Sequence, residues 1–251
     1  MARPAPRLHV DALLAEGGAV PLAPDHVHYL TSVLRLGEGA DLLLFNARDG
    51  EWSASLVRET KKQAVAVLCA RRRRPALGPE LTLCFAPLKR GPTELIVRMG
   101  TELGARTFRP VTTARTQSDR LNRDRLTAIA TEATEQCERL DVPQIAETAT
   151  LGDLLAEAGP LMFCDEAGDD PEERWGGGAG RGRPAHEALA DSVGGAWSVL
   201  IGPEGGFTPE EREALRARAD TYAVSLGPRI LKAETAAVAA LTLWGAMVGD
   251  L

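Results

Sequence analysis

The segment Val199–Phe207 reads VLIGPEGGF, an apolar run that breaks directly into a turn carrying Gly202, Gly205 and Gly206. A second such break follows the apolar stretch Tyr222–Leu226, where Leu226–Thr235 reads LGPRILKAET. Glycines without Cβ atoms let backbone approach a ligand or a neighbouring strand closely. One such turn is as readily a tight connection as a ligand loop. Two at consecutive strand ends fit an open α/β sheet, in which ligands bind outside the carboxyl ends of the strands. Between them, Thr208-Pro209-Glu210-Glu211 spells a helix start. Thr208 can cap, Pro209 suits the first helical position and Glu211 completes a capping box.

The same alternation extends backwards. Leu81–Phe85, Thr107–Val111, Leu161–Cys164 and Trp197–Ile201 are short apolar runs, with helical spacing between them. Pro92–Gly104 sets Leu95, Met99 and Leu103 on one face, with Gly104 to end the helix. Asp119–Leu140 reads as a long helix with Leu126, Ile129, Ala133, Cys137 and Leu140 along one stripe. Glu234–Val248 reads as a final, largely buried helix. Strands alternating with helices predict a mostly parallel α/β sheet. The N-terminal part differs. Asp41–Phe45, Glu51–Val57 and Ala64–Cys69 have strand character, with turn signals at Asn46–Gly50, as in a small β-barrel or sandwich. His26–Leu36 interrupts them with helical spacing. Arg71–Arg74, followed by Pro75, Gly78 and Pro79, has linker chemistry. The expected organisation is a small β-barrel or sandwich over residues 1–70, a linker over 71–79 and an α/β domain over 80–251. Asp169–His186, rich in glycine, proline and charge, is expected to be a mobile loop with little to bury.

Charge is informative when split. The 251 residues carry a net −6. Residues 1–79 hold 11 basic and 8 acidic side chains, and residues 80–251 hold 18 and 27. Within the acidic part, residues 89–125 hold 9 basic and 4 acidic. Cations thus gather in the first half, where a polyanion partner or a solvated surface would both account for them. The 4 cysteines are widely spaced and form no CxxC pair, so neither a zinc site nor a disulfide framework is expected. No metal is expected from His9, His26, His28 and His186 either. No apolar run reaches the roughly eighteen residues of a membrane span. MARPAPRLHV lacks the apolar core of a signal peptide, and a cytoplasmic protein is expected. The glycine turns match neither a GxxxxGK[ST] phosphate loop nor a helix-opening GxGxxG, and no GxSxG elbow occurs. Glu204 inside the first turn would repel phosphate and admit a neutral or cationic adenosine ligand, such as the sulfonium of S-adenosylmethionine.

IGPEGGFTPEE at Ile201–Glu211 and LGPRILKAETA at Leu226–Ala236 closely resemble the last two motifs of the small-subunit (16S) ribosomal RNA uridine-N3 methyltransferase family, of the SPOUT class. VLRLGEGAD at Val33–Asp41, TELGARTFRPVTTART at Thr101–Thr116 and EATEQCERLDVPQI at Glu132–Ile145 follow the family's order. The resemblance spans nearly the whole chain apart from Asp169–His186. It implies an N-terminal PUA-like RNA-binding β-barrel and a C-terminal SPOUT α/β domain with a trefoil knot. It also implies S-adenosylmethionine as cofactor, a homodimer, and a target uridine in the decoding region of 16S rRNA, in the assembled small ribosomal subunit.

Carried onto this chain, Ile201, Gly202, Pro203, Gly205 and Gly206 form one cofactor loop. Leu226, Gly227, Ile230 and Leu231 form the second, with Ala236 on the helix behind it. Lys232 stands where the family usually has Arg, which keeps the charge without the fork. Arg98 stands where Lys is common. Arg139, in the EQCER motif, is a candidate to steady negative charge developing on the uracil ring, with an ion pair to Glu135 as the alternative role. The general base is not legible. Arg7, Arg35 and Arg115 are the expected RNA contacts. Two other functions stay open: a SPOUT methyltransferase of another RNA, and a non-catalytic RNA-binding ribosome-assembly factor.

Overall fold

The computed structural model describes residues 4–60, 62–117, 120–157, 159–170, 172–173 and 176–251. They form two compact units. One holds the chain up to Leu77 together with a returning segment, Thr134–Val142; the other holds Gly78–Ala133 and Pro143–Leu251.

In the first unit, β1 (Arg7–His9), β2 (Ala19–Pro21), β3 (Asp41–Asn46), β4 (Gly50–Arg58) and β5 (Ala64–Arg73) form one sheet in the order β1-β3-β4-β5-β2. Only β1 and β3 pair in parallel. A short helix, α1 (Pro24–His28), runs into a π turn at Tyr29–Val33. Alternation drives the sheet: Ala54 and Leu56 of β4, and Ala64, Ala66 and Leu68 of β5, face a core shared with Leu8, Leu30, Leu42 and Leu44. Burying a leucine contributes about 1.5–3 kcal/mol.

The arginine run is not a linker throughout. β5 continues to Arg73, which lies opposite Glu51, and the buried Glu51 carboxylate takes Arg7 at 2.7 Å and Arg73 at 3.8 Å. The returning segment is fastened by the same side chains. Arg7 donates to the carbonyls of Thr134, Glu135 and Arg139, the His9 N–H donates to the Glu135 carboxylate, and Arg73 donates to the Glu138 carbonyl. A cation thereby satisfies carbonyls that a helix end leaves without partners. This ends α3 (Arg123–Gln136) short of the expected Leu140, and Glu138 takes a left-handed φ of 64°. The expected start at Asp119 lies outside the described residues. The Asn122 side chain accepts the Arg125 N–H at 3.0 Å, as an N-cap does.

In the second unit, β6 (Leu81–Phe85), β7 (Thr107–Thr112), β8 (Gln144–Ile145), β10 (Leu161–Cys164), β11 (Arg183–Pro184), β12 (Trp197–Ile201) and β13 (Thr221–Ser225) form a sheet in the order β11-β13-β10-β12-β6-β7-β8, and β9 (Ala149–Thr150) pairs with β7. Every pairing is parallel. β10 is buried throughout and β6 and β12 nearly so, which is why they read as continuous apolar runs. Besides the part of α3 up to Ala133, the helices among this unit's described residues are α2 (Arg90–Glu102), α4 (Leu151–Ala156), α5 (Ala185–Ala188), α6 (Pro209–Ala217) and α7 (Ala233–Met247).

The capping box of α6 forms as its sequence predicts: Thr208 Oγ1 accepts the Glu211 N–H at 3.2 Å, and Glu211 accepts the Thr208 N–H at 2.9 Å. The predicted face of α2 is displaced. Ile96, Val97, Gly100 and Thr101 are buried, while Leu95, Met99 and Leu103 are half-buried. A Cβ on Gly100 would stand 2.7 Å from the Phe108 ring, so the helix approaches the sheet most closely along its small residues. α7 buries Ala236, Ala237, Ala240, Leu241 and Trp244 on one side and leaves other positions exposed. The stretch 169–186, expected as a mobile loop with little to bury, holds short elements among its described residues; Pro171, Arg174 and Trp175 lie outside them. β11 and the start of α5 fall within it, and buried Arg212 donates to Gly168, Asp169 and Gly180. Charge rather than apolar surface anchors it.

Candidate active site

The carboxyl ends of β10 and β12 and the start of α7 enclose a cavity of about 320 Å³. β12 and its turn supply Ile201, Gly202, Pro203, Glu204, Gly206 and Phe207. The segment entering α7 supplies Ile230, Leu231 and Lys232, with Ala236 behind them. The end of β10 supplies Cys164, Asp165 and Glu166. Seven of the ten expected cofactor residues therefore meet at one cavity: Ile201, Gly202, Pro203, Gly206, Ile230, Leu231 and Ala236.

The other three support its walls. Gly205 lies under Arg115, whose Nη1 donates to the Gly205 carbonyl at 2.8 Å. The Leu226 N–H donates to Glu166 Oε1 at 2.6 Å. Gly227 turns the chain after β13 at φ +112°, a conformation open to glycine. Gly202 is needed for space instead: a Cβ there would meet the Phe207 ring at 2.8 Å.

Two carboxylates at the end of β10 have opposite surroundings. Asp165 is 1% exposed and fully countered, by Arg212 Nε at 2.7 Å and by Arg216. Glu166 is under-compensated. Burial pushes its carboxyl above the ordinary glutamate range, against the Leu226 N–H and the charge of Arg181. Glu204, exposed at the cavity mouth, bonds to no other described residue. Apolar walls with the under-compensated Glu166 and the unpaired Glu204 suit a flat heteroaromatic ring joined to a cationic group. The Cys164 thiol at the cavity is no nucleophile: burial raises it, as burial raises Cys84 to about 12.

The glycine motifs do not point to Asp165 and Glu166, which reach the cavity from the end of β10. Arg212 was not legible, because PEEREAL reads as an exposed charged helix.

The expected RNA contacts separate. The Arg7 side chain is 8% exposed, packs over the Phe45 ring and is committed to Glu51 and the returning segment. It is part of the first unit's interior rather than a free phosphate ligand. Arg35 is exposed, with φ 57°. Arg115 is exposed but braces the β12 turn. Arg139 pairs with Asp141 at 2.8 Å, both nearly buried. Much of the basic stretch 89–125 is likewise neutralised locally, as in Arg90–Glu94, Arg109–Glu157 and Arg123–Glu147. Among the described residues, no three metal-ligating side chains cluster and no helix is long and apolar enough to cross a membrane.

Residues 76–245 match the family model for an RNA methyltransferase domain, and residues 22–69 match that for an RNA methyltransferase PUA domain. The ribosomal RNA small subunit methyltransferase E of Rickettsia conorii is 35% identical over 94% of this chain and 93% of its own length. The chain belongs to this RNA methyltransferase family. Its curled first sheet is thus PUA-like, and its parallel sheet is the methyltransferase domain. A methyltransferase structure from Legionella pneumophila, in complex with bound S-adenosylmethionine, superposes with a TM-score of 0.79 at 26% identity, covering 99% of this chain and 100% of that one. The fold is also that of a ribosomal RNA small subunit methyltransferase E from Neisseria gonorrhoeae bound to S-adenosylmethionine, with a TM-score of 0.77, 24% identity, and coverage of 99% and 100%.

Proposed function

We propose that this RNA methyltransferase transfers the methyl group of S-adenosylmethionine to N3 of a uridine in the decoding region of 16S rRNA. The substrate is the assembled small ribosomal subunit, and the enzyme works as a cytoplasmic homodimer whose C-terminal segment threads a trefoil knot. The observation that carries the reading is the cavity at the carboxyl ends of β10 and β12, where residues of both glycine turns converge. Membership of the family and the named relatives support it.

The residues present fit the cofactor. Gly202 and Gly206 add no side chains of their own to the cavity, and Gly202 leaves room for the Phe207 ring. Ile201, Phe207, Ile230 and Leu231 offer apolar walls to adenine, and Glu166 offers a carboxylate to the ribose hydroxyls or the cationic end. When bound, S-adenosylmethionine supplies an activated methyl carbon on a sulfonium. The protein's own task is then positioning and removal of the N3 proton. For Arg139, steadying charge on uracil requires leaving Asp141; we assign it instead to holding the EQCER segment in shape.

The test is transfer of a tritiated methyl group to small subunits, to naked 16S rRNA and to large subunits from cells lacking the modification. Label in small subunits alone is expected. Label in large subunits, or none anywhere, overturns the reading.

A further inference from the structure

A second, smaller cavity of about 90 Å³ lies beside the first on the carboxyl edge of the sheet. It opens where β12, β6 and β7 end, three neighbours in the sheet order. Pro87, Leu88 and Lys89 follow β6, and Arg115 and Gln117 follow β7. Pro203 and Glu204 of the β12 turn complete it, and both also line the larger cavity. The β12 turn is therefore a wall shared by two cavities. A group transfer between two bound molecules needs the reacting atoms brought to about 3–3.5 Å, so the acceptor's place has to adjoin the donor's, and the small cavity is the neighbour that shares Pro203 and Glu204 with the larger one.

The chemistry of the small cavity selects its occupant. Uracil presents an acceptor, a donor and an acceptor along one edge: O4, N3–H and O2. The cavity holds the complementary kinds, donors on Lys89, Arg115 and Gln117 and an acceptor on Glu204. The side chains of Lys89, Gln117 and Glu204 bond to no other described residue. Arg115 spends Nη1 on the carbonyls of Gly205 and Phe207, leaving Nε and Nη2 without partners among the described residues. Pro87, Leu88 and Pro203 supply apolar surface for the faces of a ring. Cytosine carries no proton on N3 and an amino group in place of O4, so it meets donors with a donor.

We propose that the small cavity receives the acceptor uracil, that Glu204 takes its N3 proton, and that Lys89, Arg115 and Gln117 hold O2 and O4. This rests on the uridine-N3 reading and names the site that reading lacks. The N3–carbon bond forms as the carbon–sulfur bond breaks, with that electron pair staying on sulfur. The N3 proton passes to the Glu204 carboxylate and then to water. Cations at O2 and O4 stabilise the imide anion as it develops. The charged groups around Glu204 are Lys89 and Arg115 on one side, and Glu166, Lys232 and the Asp165–Arg212 pair on the other.

The test uses the full chain, unmodified small subunits and nucleoside mass spectrometry, with S-adenosylmethionine affinity measured separately by calorimetry. Glu204→Gln is expected to lower kcat by about 10²–10⁴ at neutral pH. That deficit should shrink as pH rises towards ionisation of the imide itself, because a substrate already deprotonated needs no base. Lys89→Ala and Gln117→Ala are expected to reduce kcat/KM by about tenfold or more while cofactor affinity stays within about threefold.

Wild-type kcat in Glu204→Gln, or a deficit that does not change with pH, overturns the role of Glu204. Loss of cofactor binding in that variant assigns the carboxylate to the donor cavity and also overturns it. Unchanged kcat and KM in both Lys89→Ala and Gln117→Ala overturn the site, provided the wild type forms 3-methyluridine. If the wild type forms none, the uridine-N3 reading fails and this proposal falls with it.

Discussion

Arg212 is the side chain whose removal should cost the second unit most. It is 7% exposed, yet its guanidinium donates to Asp165 at 2.7 Å, to Asp169 at 2.7 Å, and to the carbonyls of Ala167, Gly168 and Gly180. In Arg212→Met the stem is replaced by similar apolar volume, but Asp165, 1% exposed, keeps only Arg216. Three carbonyls also lose a charged donor. Breaking one side of a buried pair costs about 3–5 kcal/mol. At about 2–4 °C per kcal/mol for a domain of this size, the melting temperature should fall by about 6–20 °C. Scanning calorimetry at neutral pH measures it. The double variant Asp165→Asn/Arg212→Met removes the stranded charge and should recover part of the loss. A single variant melting within about 2 °C of wild type, or a double variant no better than the single, would refute the reasoning.

Gly202→Ala brings a Cβ to 2.8 Å from the Phe207 ring. Overpacking by about 1–3 kcal/mol should weaken S-adenosylmethionine binding by roughly 5- to 150-fold in calorimetry, and unchanged affinity would count against the placement of the cavity floor. Burial raises the Glu166 carboxyl in the folded state. Cofactor affinity should therefore decline as pH falls through that raised value, and Glu166→Gln should flatten the profile. The stability contribution of the same group has the opposite sense: it is fully present below the ordinary glutamate pKa and is lost as pH rises through the raised one. Arg7→Ala leaves the buried Glu51 with only Arg73 at 3.8 Å and should destabilise the first unit by up to about 3–5 kcal/mol in urea unfolding. Arg35→Ala should leave stability unchanged and reduce the salt slope of RNA binding by about 1.

The parts of the fold that follow local rules were legible in the residues. Thr208-Pro209-Glu210-Glu211 states its own capping box, and the runs at β6, β10 and β12 are apolar because both faces of a parallel strand are covered. The two glycine turns located the cavity for a like reason, since a strand that stops at a glycine has few local explanations. What was hidden depends on partners distant in the chain. Arg7 and Arg212 read as surface charge, and only the folded chain reveals that Glu51 and Asp165 wait for them inside. The early end of α3 is set by Arg7, more than a hundred residues earlier in the sequence. The face of α2 was misjudged because periodicity weighs large residues, whereas Gly100 lets the helix come close. In the sequence Glu204 reads as a charge that repels phosphate; its place between two cavities depends on the strand order.

The most direct measurement is nucleoside analysis. Small subunits lacking the modification are incubated with the purified chain and S-adenosylmethionine, and the 16S rRNA is digested and examined by mass spectrometry. The account predicts a new 3-methyluridine peak that maps to one position in the decoding region. A methyl group on another atom, on another base, or on no nucleoside at all would contradict it.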